Sequence, residues 1–301
     1  MNDVPSYTTR DVYAAITNKI VEAMNTGVSA FVMPWHRSGP GIIRPTNAVS
    51  GYLYRSGNVI ALWAAATVAR YGSGYWASYR QWQHAGAQVR KGERASVILF
   101  YKEVASGEDA EQDEPPRRFY GRAYHVFNAA QVDGWTPPEQ ARPDLVQSLA
   151  QVEAFVEATR ANIAIGGDIA RYRPGADCID MPPREQFVGS PTSTPTEAYY
   201  ATLLHELVHW TGAPHRLART LGDRFGDQSY AMEELVAELG AAFLCADLGV
   251  ANDPRPDMAA YIDNWLAVLK HDKKAIFTAA RSAQRAIEYL STVAHDSSSR
   301  Q

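Results

Sequence analysis

Hydrophobic residues near the start of the chain recur at the spacing of an α-helix. Val12, Ile16, Ile20 and Met24 are four residues apart, so they share one helical face, and a glycine follows three residues later. This pattern predicts a helix over residues 9–24 that buries that face.

The pattern of apolar residues predicts further elements in the first half of the chain. Helical spacing returns over residues 59–70, a short helix is expected over 78–84, and apolar runs at 97–101 and 119–127 are typical of paired strands. The residues between those strands, from 108 to 118, are dense in acidic side chains and contain no large apolar residue. We expect them to form a mobile hairpin tip, because they can bury nothing.

A cluster of prolines marks the predicted boundary between two domains. The stretch 135–143 contains three prolines, which interrupt regular structure. It would link an N-terminal domain of residues 1–134 to a C-terminal domain of residues 144–301, which opens with a helix over 144–162. The elements predict an α+β protein: an α+β first domain, and a mainly helical second domain with a small sheet.

Composition is typical of a globular intracellular protein. Hydrophobic residues make up 46% of the 301 residues, enough for a sizeable core. The longest apolar run, Val59–Ala69, is well short of the roughly 20 residues of a membrane span, and the N-terminus lacks the pattern of an export signal. Cys178 and Cys245 are far apart, so we expect neither a disulfide nor a cysteine-based zinc site. These features predict a cytoplasmic protein without membrane contact.

A helix with metal-binding histidines is predicted in the second half of the chain. A capping box with proline at the first helical position begins at Thr194. The helix that follows contains His205-Glu206-Leu-Val-His209, in which two imidazoles one turn apart can hold one ion. We expect one Zn²⁺, or another divalent ion such as Mn²⁺, with Glu206 beside it as the general base that deprotonates a water molecule.

The sequence offers several candidates for the third metal ligand. A second helix offers Glu234 and Glu238, in a string similar to the E-x-x-A-D/E pattern of glutamate zincins, whose first carboxylate binds zinc and whose second orients a ligating histidine. We therefore expect Glu234 as the ligand and Glu238 behind a histidine. His215 is the main alternative, because it completes the H-E-x-x-H-x-x-G-x-x-H spacing of metzincins. A shifted register would use Glu238 or Glu233, although Glu233 is expected to be a solvated residue at the helix start.

Two further features are expected near this centre. Residues 176–181, which two prolines follow, lie upstream of the metal helix, where a zincin has the edge strand that pairs with a peptide substrate. Tyr230 and His271 are candidates for a hydrogen bond to the oxyanion, although an ordinary structural role is the simpler interpretation of both.

The first third of the chain combines aromatic rings with positive charge. Up to residue 107 there are 11 Lys and Arg against 5 Asp and Glu, whereas the remainder is acidic. Single-stranded nucleic acids are bound by stacking bases on aromatic faces and by placing Lys and Arg along the phosphates. Filling a core is the competing explanation for such rings. The candidate DNA contacts are Trp35, Arg37, Tyr52, Tyr54, Arg55, Trp76, Arg80, Trp82, Arg90 and Lys91.

Two groups of motifs carry a family resemblance that covers most of the chain. The first group is Met33-Pro-Trp35, Pro45-Thr-Asn47 with Ser50-Gly-Tyr52, Gly57-Asn58, Trp76 with Gln81-Trp82, Gly86-Ala-Gln-Val-Arg-Lys-Gly-Glu93 and Val126-Phe-Asn-Ala-Ala-Gln-Val-Asp-Gly134. The second group is Tyr199-Tyr-Ala-Thr-Leu-Leu-His-Glu-Leu-Val-His-Trp-Thr-Gly212, Arg216-Leu217 and Glu233-Glu-Leu-Val-Ala-Glu-Leu-Gly-Ala-Ala-Phe-Leu244. With these motifs the chain resembles the ArdC-type antirestriction proteins of conjugative plasmids, whose N-terminal half is shared with certain plasmid primases. Where that family usually reads T-G-H, this chain has Thr211-Gly-Ala213.

The resemblance implies a function as well as a fold. It implies an N-terminal domain that binds single-stranded DNA, a zincin-like metallopeptidase domain, and protection of incoming plasmid DNA from type I restriction. The protein substrate is left open, and the host restriction machinery is one candidate. The alternative is a DNA-binding protein with a structural or vestigial metal site, which protects by coating DNA without proteolysis.

Overall fold

The computed structural model of the protein describes seven segments of the chain: residues 9–27, 33–36, 43–104, 118–138, 145–221, 228–253 and 259–298. These segments contain eight α-helices: α1 (Thr9–Gly27), α2 (Gly57–Ala69), α3 (Tyr79–His84), α4 (Leu145–Thr159), α5 (Pro195–Trp210), α6 (Gln228–Leu248), α7 (Ala259–His271) and α8 (Ala275–Ser298). They also contain nine strands: β1 (Thr46–Asn47), β2 (Tyr75–Ala77), β3 (Gln88–Val89), β4 (Ser96–Val104), β5 (Arg118–Asn128), β6 (Val132–Asp133), β7 (Ile163–Ile165), β8 (Arg171–Arg173) and β9 (Cys178–Met181). None of the described helices is both long and apolar enough to cross a bilayer.

Most of the predicted elements are confirmed, with shifts at their ends. The helix predicted over residues 9–24 is α1, and the two predicted strands are β4 and β5, which pair antiparallel from Ser96 opposite Val126 to Val104 opposite Arg118. Nearly all of the predicted hairpin tip, and residues 139–143 of the predicted linker, lie outside the described segments.

The last two helices, α7 and α8, are not predicted by the sequence analysis. The buried face of α8 is rich in alanine, including Ala279, Ala280, Ala283 and Ala286. The apolar side chains nevertheless lie strongly on one side of α8, so its helical period is present in the sequence.

Three small sheets accompany the helices. The strand orders are β1-β2-β5-β4, β3-β6 and β7-β9-β8. In the third sheet β9 lies between a parallel partner, β7, and an antiparallel partner, β8. The prediction that residues 176–181 form a substrate-binding edge is therefore wrong, because both sides of β9 are already paired. Within the described segments, β8 is the outer strand on the side of α5 that bears Glu206.

One continuous hydrophobic core joins the N-terminal and C-terminal halves. Buried residues of α1, α2 and β4 belong to the same cluster as those of α5, α6, α7 and α8. Helix α6 packs against α5, α7 and α8, while α1 packs on α2 and α7. The second half thus supplies much of the apolar surface on which the first half packs. The residues of the boundary between the two domains stay a prediction.

The contact between α5 and α6 depends on a glycine. A Cβ atom at Gly240 would lie 2.7 Å from Cγ2 of Val208, which is closer than carbon atoms can approach without movement. The bare backbone at Gly240 lets the two helices lie close together, and that approach brings Glu234 opposite the histidines of α5.

Candidate metal centre and nucleic-acid surface

The start of α5 is anchored by the predicted capping box. The Thr194 hydroxyl accepts from the Glu197 backbone N–H at 3.2 Å, and the Glu197 carboxylate accepts from the Thr194 N–H at 2.8 Å. Pro195 occupies the first helical turn. The other Glu197 oxygen accepts from the N–H of Ala251 at 3.0 Å, so the start of α5 is also tied to the segment after α6. These contacts fix the rotation of α5 and with it the direction of the later side chains.

Three side chains converge in the metal centre, by which we mean His205, His209 and Glu234. The Nε2 atoms of the two imidazoles lie 3.1 Å apart. Each is 3.5 Å from an oxygen of Glu234. Ligands about 2.0–2.1 Å from a tetrahedral ion would be about 3.3–3.4 Å from one another. The three side chains therefore have the spacing and the donor atoms that suit a divalent metal ion.

Two more carboxylates stand behind the imidazoles. Glu238 Oε2 lies 3.6 Å from Nδ1 of His205, and Glu233 Oε1 lies 3.2 Å from Nδ1 of His209. Arg219 donates to both oxygens of Glu233, at 2.8 and 3.0 Å. The expectation that Glu233 is solvated is wrong, because its side chain is buried between His209 and Arg219. Carboxylates in such positions set the ring orientation of ligating histidines.

The centre carries an excess of buried negative charge. Glu206, Glu233, Glu234 and Glu238 are all buried. Burial alone would lower the pKa of His209, but the hydrogen bonds that its ring N–H groups donate to Glu233 and Glu234 outweigh burial and raise that pKa to about 10. Burial would raise the pKa of Glu234, but the neighbouring imidazoles hold it well below its usual range. Buried carboxylates need compensating positive charge, which a divalent cation at this position would supply.

His215, the alternative third ligand, has a different environment. It is exposed, its Nε2 accepts from Arg216 at 2.7 Å, and it lies 3.4 Å from Asp177. Among the described residues, the group able to share one metal ion consists of His205, His209 and Glu234. The geometry thus favours Glu234 over His215.

A cavity of about 210 Å³ opens onto the metal centre. Its walls include both histidines, Glu206, Glu234, Tyr230, Tyr261 and the segment from Ala170 to Tyr172. Glu206 accepts from the backbone N–H of Tyr172 in β8 at 2.7 Å. The hydroxyls of Tyr230 and Tyr261 are 3.3 Å apart. Tyr230 therefore lies at the site, whereas His271, exposed at the end of α7, does not line this cavity.

Most of the aromatic side chains predicted to contact DNA lie in the core. Trp35, Tyr54, Trp76 and Trp82 are all buried, and the indole N–H of Trp82 donates to the backbone oxygen of Phe127 at 3.1 Å. These rings cannot present a face to a base in this conformation. Tyr52 differs, because 79% of its surface is exposed.

The positively charged candidates are at the surface. Arg55, Arg80, Arg90 and Lys91 are exposed, and Arg37 lies outside the described segments. Arg55 pairs with Glu288, while Arg90 pairs with Glu93 at 2.9 Å and with Asp133 at 3.4 Å. Arg90 and Lys91 also line an open cleft of about 570 Å³, together with the exposed ring of Tyr79.

An exposed aromatic pair on the β4–β5 hairpin is not among the residues predicted from the sequence. The rings of Phe100 and Tyr124 are 5.4 Å apart, and the Arg122 guanidinium lies 5.6 Å from the Tyr124 ring. Phe100 is opposite Arg122 in the strand register, and Tyr124 is two residues further along β5. Positions two apart on a strand share a face, so this alternation is the signal that could have identified the pair.

Comparison with known proteins identifies the family. The family of N-terminal domains of the anti-restriction factor ArdC matches residues 10–127, and a family of zincin-like metallopeptidases matches residues 150–282. The metal-free crystal structure of the antirestriction protein ArdC from plasmid R388 covers 95% of this chain and 98% of its own, at 37% identity and a TM-score of 0.74. The chain belongs to the ArdC family of antirestriction proteins. The resemblance inferred from the motifs and the α+β two-domain architecture are both confirmed.

A metal-bound relative has also been solved. A second ArdC structure from R388, with Mn(II) bound, matches 94% of this chain and 98% of its own at 36% identity and a TM-score of 0.73. Together with the zincin-like fold, it indicates a divalent metal for this ArdC-family protein.

Two curated relatives differ in length. The uncharacterized protein y4eC of Sinorhizobium fredii is 43% identical over 289 residues, which cover 94% of this chain and 92% of that protein. The DNA primase TraC of Escherichia coli is 34% identical over 295 residues, which cover 91% of this chain but only 26% of the primase. The ArdC-like region is thus a minor part of that larger enzyme.

Proposed function

We propose that this ArdC-family protein binds single-stranded DNA with its N-terminal half and hydrolyses peptide bonds at the metal centre. In this role it protects incoming plasmid DNA from type I restriction in the cytoplasm. The observation that carries the enzymatic part is the convergence of His205, His209 and Glu234 beside the buried carboxylate of Glu206.

The metal centre has the residues that hold a catalytic ion. The Nε2 atoms of His205 and His209 and a Glu234 oxygen would be the ligands, with Glu238 and Glu233 orienting the two rings. A bound Zn²⁺ or Mn²⁺ would supply the Lewis acid that polarises a carbonyl and acidifies a water molecule. Three protein ligands leave a coordination position for these groups, as catalytic sites require.

Glu206 and Tyr230 provide the proton chemistry around that position. The Tyr172 N–H fixes one oxygen of Glu206 at the cavity wall, and we assign to this carboxylate the removal of a proton from water. Burial raises the pKa of Tyr230, so its phenol stays protonated near neutral pH and can donate a hydrogen bond to a developing oxyanion.

Strand β8 is the proposed binding edge for the peptide. Ala170, Arg171 and Tyr172 line the cavity beside Glu206, and β8 is an outer strand of its sheet. An extended peptide can add to such an edge through main-chain hydrogen bonds. This placement brings a scissile carbonyl close to the metal centre without any rearrangement of β9.

The proposed DNA-binding region is the N-terminal surface, defined here by the exposed residues Tyr52, Arg55, Tyr79, Arg80, Arg90 and Lys91. Its rings can stack on bases and its cations can follow phosphates, which is how single strands are bound without sequence preference. The surplus of Lys and Arg in the first third of the chain supports this assignment.

Joining the two activities in one chain has a physical advantage. A protein substrate that is bound to the same DNA strand is held at a high effective concentration near the peptidase site. The host restriction machinery, which acts on incoming DNA, is the candidate for such a substrate.

Replacement of Glu206 by Gln tests the enzymatic part. The variant should bind one equivalent of Mn²⁺ or Zn²⁺ as the wild type does, but hydrolysis of fluorescein-labelled casein should fall about 10²–10⁴-fold, the usual contribution of a general base. Glu185→Gln, which changes an exposed carboxylate that does not line the cavity at the metal centre, should retain full hydrolysis. Undiminished hydrolysis by Glu206→Gln would remove Glu206 as the base.

A second function is favoured by the size of the cavity. Its volume of about 210 Å³ is below the about 300–1,000 Å³ that is usual for ligand sites. The protein would then use the metal for structure and protect by coating DNA. Plasmid transfer into a recipient with type I restriction separates the two functions, because Glu206→Gln should lose protection only if hydrolysis is required.

A further inference from the structure

A short segment of the N-terminal half is embedded beside the metal centre. Trp35 is fully buried, and its ring packs 6.1 Å from that of Trp265 in α7. The Trp35 backbone oxygen accepts from the Asn252 side chain at 3.4 Å. The segment Met33–His36 is therefore part of the core of the C-terminal half, although it belongs to the first half of the sequence.

His36, the last residue of this segment, has two hydrogen bonds of defined direction. Its Nδ1 accepts from the backbone N–H of Met33 at 2.9 Å. In the neutral imidazole the proton must then be on Nε2. This Nε2–H donates to Oε1 of Glu238, also at 2.9 Å, and the side chains of both residues are almost completely buried.

Glu238 connects His36 to a residue of the metal centre. While Oε1 accepts from His36, Oε2 lies 3.6 Å from Nδ1 of His205. That Nδ1 is buried and makes no hydrogen bond to any described residue. The opposite nitrogen of the same ring, Nε2, faces His209 and Glu234.

Metal binding through His205 requires a fixed hydrogen-bond acceptor behind the ring, and His36 and Glu238 together meet this requirement. An imidazole that binds a metal through Nε2 has its proton on Nδ1, and that N–H needs an acceptor that is held in place. A buried carboxylate such as Glu238 is itself costly unless donors satisfy it. His36 supplies one such donor, from an element that is separate from α5 and α6.

We propose that His36 is a positioning residue of the metal centre. It keeps the Glu238 carboxylate facing His205 Nδ1, where the carboxylate can serve as the acceptor for that N–H when His205 presents Nε2 to the metal. The metal affinity of the C-terminal site thus depends on a side chain from the N-terminal half. This inference rests on the metal site of the proposed function and is independent of proteolysis and of DNA binding.

Metal affinity of full-length variants tests the proposal. Chelator-treated proteins are titrated with MnCl₂ by calorimetry, and unfolding temperatures are measured with and without the metal. His36→Leu removes the donor and should weaken Mn²⁺ binding about tenfold, the lower end of the usual effect of removing a residue that supports a metal ligand. His36→Gln, whose amide can still donate to Glu238, should bind Mn²⁺ close to the wild-type value.

Trp35→Phe is the matched control. It perturbs the same buried segment but removes an indole N–H that has no partner among the described residues, and it leaves the His36–Glu238 hydrogen bond intact. Its metal-free form should unfold at a lower temperature while its Mn²⁺ affinity stays that of the wild type. If Trp35→Phe and His36→Leu weaken Mn²⁺ binding equally, docking of the segment is responsible and the role of His36 is refuted.

A double-mutant comparison tests whether His36 acts through Glu238. Glu238→Gln should weaken Mn²⁺ binding, and adding His36→Leu to it should cause little further loss, because the two changes break one connection. Fully additive losses, an unaffected His36→Leu variant, or a failure of His36→Gln to restore binding would each overturn the proposal. A wild-type protein that binds no Mn²⁺ or Zn²⁺ would instead overturn the metal centre of the proposed function.

Discussion

The metal centre and the N-terminal surface were both predicted from residue types at particular spacings, but the two predictions compare differently with the structure. In α5 the histidines are one turn apart, so the helix itself sets the distance between their Nε2 atoms at 3.1 Å. In the N-terminal half, rings and cations alternate along the sequence but divide between the core and the surface. A local spacing therefore predicts geometry well only where a single regular element holds all of the residues.

The contrast between buried and exposed rings is sharpest at Trp82. This indole is fully buried in a small core with Ala77, Val89 and Val132. Trp82→Ala should lower the free energy of unfolding by about 3–5 kcal/mol, as for other large-to-small changes in a core. Urea denaturation measures this loss, and the milder Trp82→Phe should bind a fluorescent 30-nucleotide oligo(dT) as the wild type does. A stable Trp82→Phe variant that no longer binds DNA would show that Trp82 contacts the DNA after all.

The next largest expected effect concerns the third metal ligand. Glu234→Gln removes a proposed ligand, so Mn²⁺ affinity should fall at least about a hundredfold, which is at or beyond the typical effect of changing a residue that only supports a ligand. His215→Ala should leave Mn²⁺ affinity unchanged, because His215 faces Asp177 and Arg216. The reverse pattern in calorimetric titrations would support the metzincin-like ligand set instead.

Tyr79 represents the exposed rings of the N-terminal surface. Tyr79→Ala should weaken oligo(dT) binding by about 1–3 kcal/mol, the value of one stacked base, while the unfolding temperature changes little. Tyr79→Phe keeps the ring and serves as the control that should bind normally. Fluorescence anisotropy measures both, and equal affinity for the Ala variant and the wild type would exclude stacking on Tyr79.

The smallest expected effect concerns a single cation. Arg80→Ala should remove one phosphate contact and make the plot of log affinity against log salt concentration shallower by about 0.7. Lys270→Ala, an exposed cation on α7, should leave the slope unchanged. Affinity for oligo(dT) that does not depend on salt in the wild type would contradict a phosphate-binding surface altogether.

Features that depend on residues close together in the chain could be predicted from the sequence, and features that depend on distant residues could not. The capping box at Thr194 and the four-residue spacing of His205 and His209 are local, so α5 and its two histidines were predicted directly. Glu234 was predicted from a resemblance between short strings, and its proximity to the histidines then depends on the close contact of α6 with α5 at Gly240.

Other features depend on contacts that no local pattern encodes. Glu233 is expected to be solvated because it lies near a helix start, but it is buried, and Arg219, fourteen residues away in sequence, donates hydrogen bonds to its carboxylate. His36 lies 202 residues from Glu238, so its role is visible only once the chain has folded. The burial of Trp35, Trp76 and Trp82 is likewise a property of the tertiary core.

The central claim is that one divalent ion is held by His205, His209 and Glu234, with Glu206 beside it. Anomalous diffraction from crystals grown with Mn²⁺ or Zn²⁺ tests this claim most directly. A single anomalous peak about 2.0–2.2 Å from both Nε2 atoms and a Glu234 oxygen is the predicted result. A peak bound by His215 in place of Glu234, or no peak near the histidine pair, would contradict it.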